Sequence, residues 1–231
     1  MDANNKQSCW RFSMIDLCNL IRPLFHVALA LAATPLWALD LSIRDAVSGE
    51  PLAQAVVSIP AAANAQALDH PAVMAQQDRS FTPHLLVVPV GTAVDFPNLD
   101  NTQHHVYSFS PAKTFNIELY ADRPEAPVVF DMPGVVELGC NIHDRMRGFV
   151  YVTGSAQTAT SGATGIARIE PPGKGPFEIR VWHERLVDNA RPQTLIIDAG
   201  AESPYIISLA VVAPETDTDP FADLQRRFDA L

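Results

Sequence analysis

The sequence predicts an all-β fold, built as a sandwich, and two observations carry that expectation. Short runs alternate apolar with polar residues and are rich in β-branched side chains, the pattern of strands buried on one face. The chain's 19 prolines, together with its glycines, interrupt these runs at short intervals and disfavour long helices. Many short strands separated by turn signals imply packed sheets. Of the 231 residues, 48 % are hydrophobic, enough for one or two domains with cores of their own.

Taken in order, residues 1–38 differ from the rest. A polar start with Lys6 and Arg11 leads through Arg22 to an apolar run from Leu24 to Ala38, and Leu39-Asp-Leu-Ser-Ile43 then begins strand-like alternation. This reads as a secretory signal peptide cut after Ala38, with a cut nearer Ala33 as the alternative and Met14 as a second candidate start. His26 and Pro35 break the apolar run, which falls short of the roughly 20 residues a membrane span needs. No span is expected in the mature chain. Export to the periplasm is therefore the expected localisation.

Strands are expected over 39–45, 55–59, 84–88, 93–98, 105–109, 128–132, 135–140, 149–152, 167–169, 177–182, 194–198 and 205–212. The Ala-rich piece over 61–67 and the Ser/Thr/Gly-rich piece over 153–165 read as loops or linkers. Near the end, Phe221, Leu224 and Phe228 fall at helical spacing within an acidic tail over 214–231 and suggest a short helix.

The formal charge is −10, which argues against a nucleic-acid partner and fits solubility or steering of a basic protein. Of the three cysteines, Cys9 and Cys18 leave with the signal peptide. Cys140 then stands alone in an oxidising compartment, with no intrachain disulfide open to it. A lone exported thiol needs another reason, and a metal supplies one.

The stretch Gly139-Cys-Asn-Ile-His-Asp-Arg-Met146 holds a thiol, an imidazole and a thioether, and a His104-His105 pair lies upstream. One thiolate and two imidazoles with a weak axial thioether form the donor set of a mononuclear blue-copper electron-transfer site. Cys140, His143 and Met146 are spaced so closely that the loop must curl for their side chains to converge, since three extended residues span about 10 Å. The fourth donor comes from the His104-His105 pair at the start of a strand. Adjacent strand residues point to opposite faces, so both imidazoles are not expected on one ion.

These residues resemble a known family. Val90-Gly-Thr-Ala-Val-Asp-Phe-Pro-Asn98, His104-His-Val106 and Cys140-x2-His143-x2-Met146 resemble the cupredoxins, with the short ligand loop of amicyanin rather than the longer one of plastocyanin. With Met74-Ala-Gln-Gln-Asp-Arg-Ser-Phe81, the pattern is most similar to exported plastocyanin-like proteins labelled methylamine utilisation proteins. The resemblance covers about residues 74–153. It implies a Greek-key β-sandwich, one type 1 copper per chain, and His104, Cys140, His143 and Met146 as ligands. In the family the ligand His is usually followed by an Asn that ties the two ligand loops together. Here His105 takes that position, with Asn98 and Asn141 as weaker candidates for the tie.

The flanking segments resemble something else. Leu41-Ser-Ile-Arg-Asp-Ala-Val-Ser-Gly-Glu-Pro-Leu-Ala-Gln-Ala-Val-Val57 and Pro171-Pro-Gly-Lys-Gly-Pro-Phe-Glu-Ile-Arg-Val-Trp182 are similar to a carboxypeptidase-regulatory-like β-sandwich. The expected organisation is a signal peptide over 1–38, first strands of this accessory sandwich over 39–73, a cupredoxin domain over 74–153, the rest of the accessory sandwich over 154–213, and the tail. The resemblance implies a docking or scaffolding role for the accessory part and no catalysis.

The leading expectation is thus a periplasmic one-electron carrier. It would work between a donor enzyme and a c-type cytochrome-like acceptor, with His143 as the electron's exit. The alternative is a copper-binding or delivery protein without electron transfer, although the chain has no Met-rich tract. Enzymatic readings are disfavoured. Zinc does not normally recruit Met, a Cys140–His nucleophile pair lacks an orienting partner, and an oxidase would need further His-rich copper sites. His70, His84 and His183 have no partners in sequence and read as surface or satisfied imidazoles, and Asp144 and Arg145 as solvated loop residues.

Overall fold

A computed structural model describes residues 38–214 except 61–62, 144, 174, 199 and 201–202. The expected leader up to residue 37, the expected tail helix and Asp144 lie outside the described residues. Among the described residues every regular element is a strand, and no helix is long and apolar enough to cross a membrane.

The chain opens with β1 (Leu39–Asp45) and β2 (Val56–Ser58), followed by the short β3 (Ala72–Val73), β4 (Ala75–Gln77) and β5 (Ser80–Thr82). The middle of the chain carries β6 (Leu85–Pro89), β7 (Thr92–Asp95), β8 (His104–Ser110), β9 (Lys113–Tyr120), β10 (Val128–Phe130), β11 (Gly134–Gly139) and β12 (Arg147–Thr153). The last stretch forms β13 (Thr158–Thr160), β14 (Ile166–Ile169), β15 (Pro176–Trp182), β16 (Gln193–Asp198) and β17 (Tyr205–Leu209).

Every expected strand is present, with ends moved by a few residues. Strands β3, β4, β5, β9 and β13 were not expected. Strand β9 carried a readable signal, because Phe115 and Ile117 are more covered than Thr114, Asn116 and Glu118 on the opposite face. Strand β13 corrects the loop reading of 153–165. Thr158 and Thr160 extend there because they pair with Ser58 and Val56 of β2, a tertiary partner that local composition does not reveal.

The first and last described strands, β1 and β17, pair with each other. β1 lies between β14 and β17, and β2 lies between β13 and β15, with β16 beyond. The middle of the chain forms a five-stranded sheet in the order β6-β12-β11-β8-β9, faced by the sheet β10-β7-β3 and the hairpin β4-β5.

The five-stranded sheet is covered on both faces at its β6-β12-β11 end. On β12, Phe149 and Tyr151 enter one core, shared with Leu41, Ile43, Val57, Ile179, Val181 and Trp182 from the chain ends. Val150 and Val152 enter a second core with Met74, Phe81, Phe96, Val106, Phe130, Val136 and Leu138. On β6, Leu85 and Val87 pack against the first core and Leu86 against the second, which also contains Val88. Successive side chains point to opposite faces, so burial on both sides makes β12 read as an unbroken apolar run. Gly148 sits on this strand because a Cβ there would lie 2.7 Å from Cβ of Phe81.

Trp182 anchors the first core. It is 1 % exposed, and its ring centroid lies 5.3 Å from Phe149 and 5.9 Å from Tyr151, within the range of favourable aromatic pairs. Its indole N–H donates to the Asn189 carbonyl at 2.7 Å. At the same seam His84 Nε2 lies 2.6 Å from Glu184 Oε2, and the His84 ring sits edge-on to Phe149 at 5.6 Å. The hydrogen bond to Glu184 raises the His84 pKa above its ordinary 6.5 despite partial burial. The same bond lowers Glu184 below 4.5. His183 is buried, with Nε2 3.1 Å from the Ala53 carbonyl oxygen, and burial lowers its pKa. Both histidines are therefore satisfied.

Two outcomes follow from this seam. Truncation by Trp182→Ala leaves a cavity between the two parts of the chain and costs about 3–5 kcal/mol, measurable by denaturant unfolding. For the ion pair, folding raises the His84 pKa, so its contribution is complete below pH 6.5 and fades as pH rises through the folded value. Glu184 is lowered, so its contribution is present above pH 4.5 and fades as pH falls through its own folded value. The stability lost in His84→Ala should be largest between those values and shrink toward pH 8. Both side chains are over a third exposed, which keeps the effect small.

Candidate metal centre

Strands β11 and β12 form an antiparallel hairpin whose register runs from Gly134↔Val152 to Gly139↔Arg147. The loop that closes it begins at Cys140 and ends at Met146, so both sulfur residues are fixed by the last paired rung. The Met146 amide donates to the His143 carbonyl at 2.9 Å, which curls the loop as its spacing requires. Cys140 is 5 % and Met146 2 % exposed, and both belong to the second core. Arg147 Nε reaches Glu137 Oε1 at 2.8 Å across the hairpin.

Gly139 allows a close approach beside the thiol. A Cβ at this position would stand 2.7 Å from Cζ of Tyr107, so only glycine lets the Tyr107 ring cover the backbone next to Cys140.

His104 enters from the start of β8 and is fully buried. Its Nε2 lies 2.7 Å from Asp100 Oδ2. An ionised carboxylate only accepts, so Nε2 donates, and a neutral ring so held would present its lone pair at Nδ1. That Nδ1 lies 3.8 Å from Cys140 Sγ. His143 is half-buried, its ring centroid is 5.0 Å from that of His104, and its Nδ1 is buried without a hydrogen-bond partner. One potential ligand atom from each of His104, Cys140 and His143 lies within 4.8 Å of the others.

This arrangement fits a metal ion. A buried imidazole nitrogen without a partner is costly, and here it belongs to the same cluster as a thiol and a second, pre-oriented imidazole. Soft sulfur with imidazole suits copper far better than a hard cation. Among the described residues this is the one His/Cys/Asp/Glu cluster of metal-binding geometry.

His105 is also buried, at 6 % exposure, but stands outside the cluster. The pairing of β8 with β9 is irregular between His104 and Val106. The His105 ring lies 5.4 Å from Tyr107, and its Nδ1 has no partner. His104 is oriented instead by the hydrogen bond that Asp100 accepts from its Nε2, and Asp100 carried no signal in the sequence. Asn98 is buried and ties β7's exit to β9, its Nδ2 donating to the Thr102 and Tyr120 carbonyls at 2.8 and 3.2 Å. Asn141 is exposed.

Asp100 is itself held from several sides. The amides of Asp78 and Arg79, in the turn between β4 and β5, donate to its two oxygens at 2.8 and 3.0 Å. Its own amide donates to Asn98 Oδ1 at 2.9 Å. Burial raises the Asp100 pKa, but the bonds from the Arg79 amide, His104 and the Asp78 amide outweigh it and hold the carboxyl below its usual range. Nearby, burial raises the Tyr120 hydroxyl, which donates to the Phe96 carbonyl at 2.7 Å and accepts from Gln76.

No protein-family model matches the chain. No curated protein matches it either. Among solved structures, the chain is similar to a reduced tryptophan-to-tyrosine mutant of amicyanin, at 22 % identity over 42 % of this chain and 98 % of that one, with a TM-score of 0.34. A methionine-to-alanine mutant of amicyanin in its Cu(I) form and an oxidised proline-to-alanine mutant are each 20 % identical, with the same coverage and TM-score.

Proposed function

We propose that this chain is a type 1 copper protein that carries single electrons between redox partners, with His104, Cys140, His143 and Met146 as its ligands. The observation that carries the reading is the convergence of the Cys140 thiol with two imidazoles inside 4.8 Å, where His104 is already oriented and His143 Nδ1 is buried without a partner. Copper bound there would supply a one-electron couple.

The chain's own residues would keep that couple fast and confined. Cys140 and Met146 extend from paired strands, and His104 is locked by its carboxylate. Donors held this firmly move little when the charge at the site changes. His104 is sealed from solvent, whereas His143 is half-buried and follows the exposed Ile142. His143 is therefore the exit toward a docked partner. No substrate pocket is needed, and the reading is of a carrier rather than an enzyme.

The finer assignments follow the sequence resemblances. We infer that the leader exports the chain to the periplasm, where a donor enzyme and a c-type cytochrome-like acceptor are its partners. The flanking segments, similar in sequence to a carboxypeptidase-regulatory-like sandwich, serve as scaffold or docking module. Their core closes the back of the sheet that bears the ligand hairpin, which supports the scaffolding role.

Titration with Cu(II), followed by visible absorption and electron paramagnetic resonance, tests this reading. The expected outcome is an intense thiolate-to-copper band with narrow hyperfine splitting, absent in Cys140→Ser. A colourless complex with ordinary tetragonal Cu(II) signals and rapid metal exchange would contradict electron transfer and favour copper delivery.

A further inference from the structure

We propose that Asp100 is the positioning residue of this centre, selecting the His104 nitrogen that faces the metal and biasing the site toward oxidised copper. The inference rests on the copper reading above for its redox half and on geometry alone for its positioning half.

The positioning half begins with a turn. Asp78 and Arg79 form the two-residue loop of the β4–β5 hairpin, with positive φ of 53° and 58°, the geometry such loops adopt. That geometry aims two consecutive amides at one carboxylate, at 2.8 and 3.0 Å. Asn98 then fixes the Asp100 amide from the other side. Asp100 is thus held on three sides, and the remaining direction of its Oδ2 is spent on His104 Nε2.

The redox half follows from charge. The Asp100 side chain is only 16 % exposed, with a shallow polar hollow formed by Asp78, Arg79, Asn101 and Thr102 beside it. A poorly screened anion on the far side of an imidazole makes that ring a stronger donor. It also attracts a doubly charged ion more than a singly charged one. Among the described residues Asp100 is the carboxylate hydrogen-bonded to an imidazole of this cluster.

The test compares Asp100→Asn, which keeps the size and one acceptor oxygen but removes the charge, with Asp100→Ala, which removes both. Far-UV circular dichroism establishes that each variant is folded. In the metal-free protein, nitrogen–proton correlation spectra should show His104 as the Nε2–H tautomer, a preference lost in Asp100→Ala. In the copper-loaded protein, competition titrations should show Cu(II) affinity reduced about 10–100-fold in Asp100→Asn, with Cu(I) affinity changed much less. Each tenfold change in that ratio raises the one-electron potential by about 59 mV.

An Nδ1–H tautomer in the wild-type protein, or an unchanged ratio of Cu(II) to Cu(I) affinity in Asp100→Asn, would overturn the proposal. Failure of the copper reading looks different. It appears as a missing thiolate band in the wild-type protein itself, and the tautomer measurement then still decides whether Asp100 positions His104.

Discussion

The antiparallel pairing of β11 with β12 is the constraint on which the rest of this structure depends. Its last rung joins Gly139 to Arg147, which fixes where the ligand loop leaves and re-enters the sheet. The hairpin can be stiff because β12 is buried on both faces, by Phe149 and Tyr151 on one side and Val150 and Val152 on the other. The strands from the chain ends are therefore part of the site's mechanics. They cover the back of the sheet and hold the hairpin from the side opposite the metal residues.

A second constraint comes from the loop that leads into β8. His104 and its neighbour His105 are both buried, and the strand pairing is irregular between His104 and Val106. The Asp100 carboxylate fixes the His104 ring, whose Nδ1 lies 3.8 Å from Cys140 Sγ. The two halves of the donor set are thus made rigid by different means. Sheet register holds the sulfurs, and a hydrogen-bonded loop holds the imidazole.

Much of this could be read from the sequence, and the reasons differ by element. The donor set was legible because chemistry restricts it: a thiol, two imidazoles and a thioether at close spacing have few other uses. The expected strands were legible because their alternation is local. Strand β13 was not, since Thr158 and Thr160 are extended only through pairing with β2. The β4–β5 hairpin was hidden for a related reason, because its turn uses Asp78 and Arg79 at positive φ where a glycine would have announced it. The role of Asp100 had no sequence signal at all. It depends on a turn some 20 residues upstream and becomes visible only when the two loops are brought together.

The central claim is that the protein would hold copper between Cys140, two imidazoles and the weaker Met146 thioether too firmly for the geometry to follow the oxidation state. X-ray absorption at the copper edge, recorded on the same copper-loaded sample before and after reduction, addresses that claim most directly. The account predicts one short thiolate sulfur and two imidazole nitrogens in both states, with distances nearly unchanged. A first shell of nitrogen and oxygen only, or the loss of an imidazole on reduction, would contradict it.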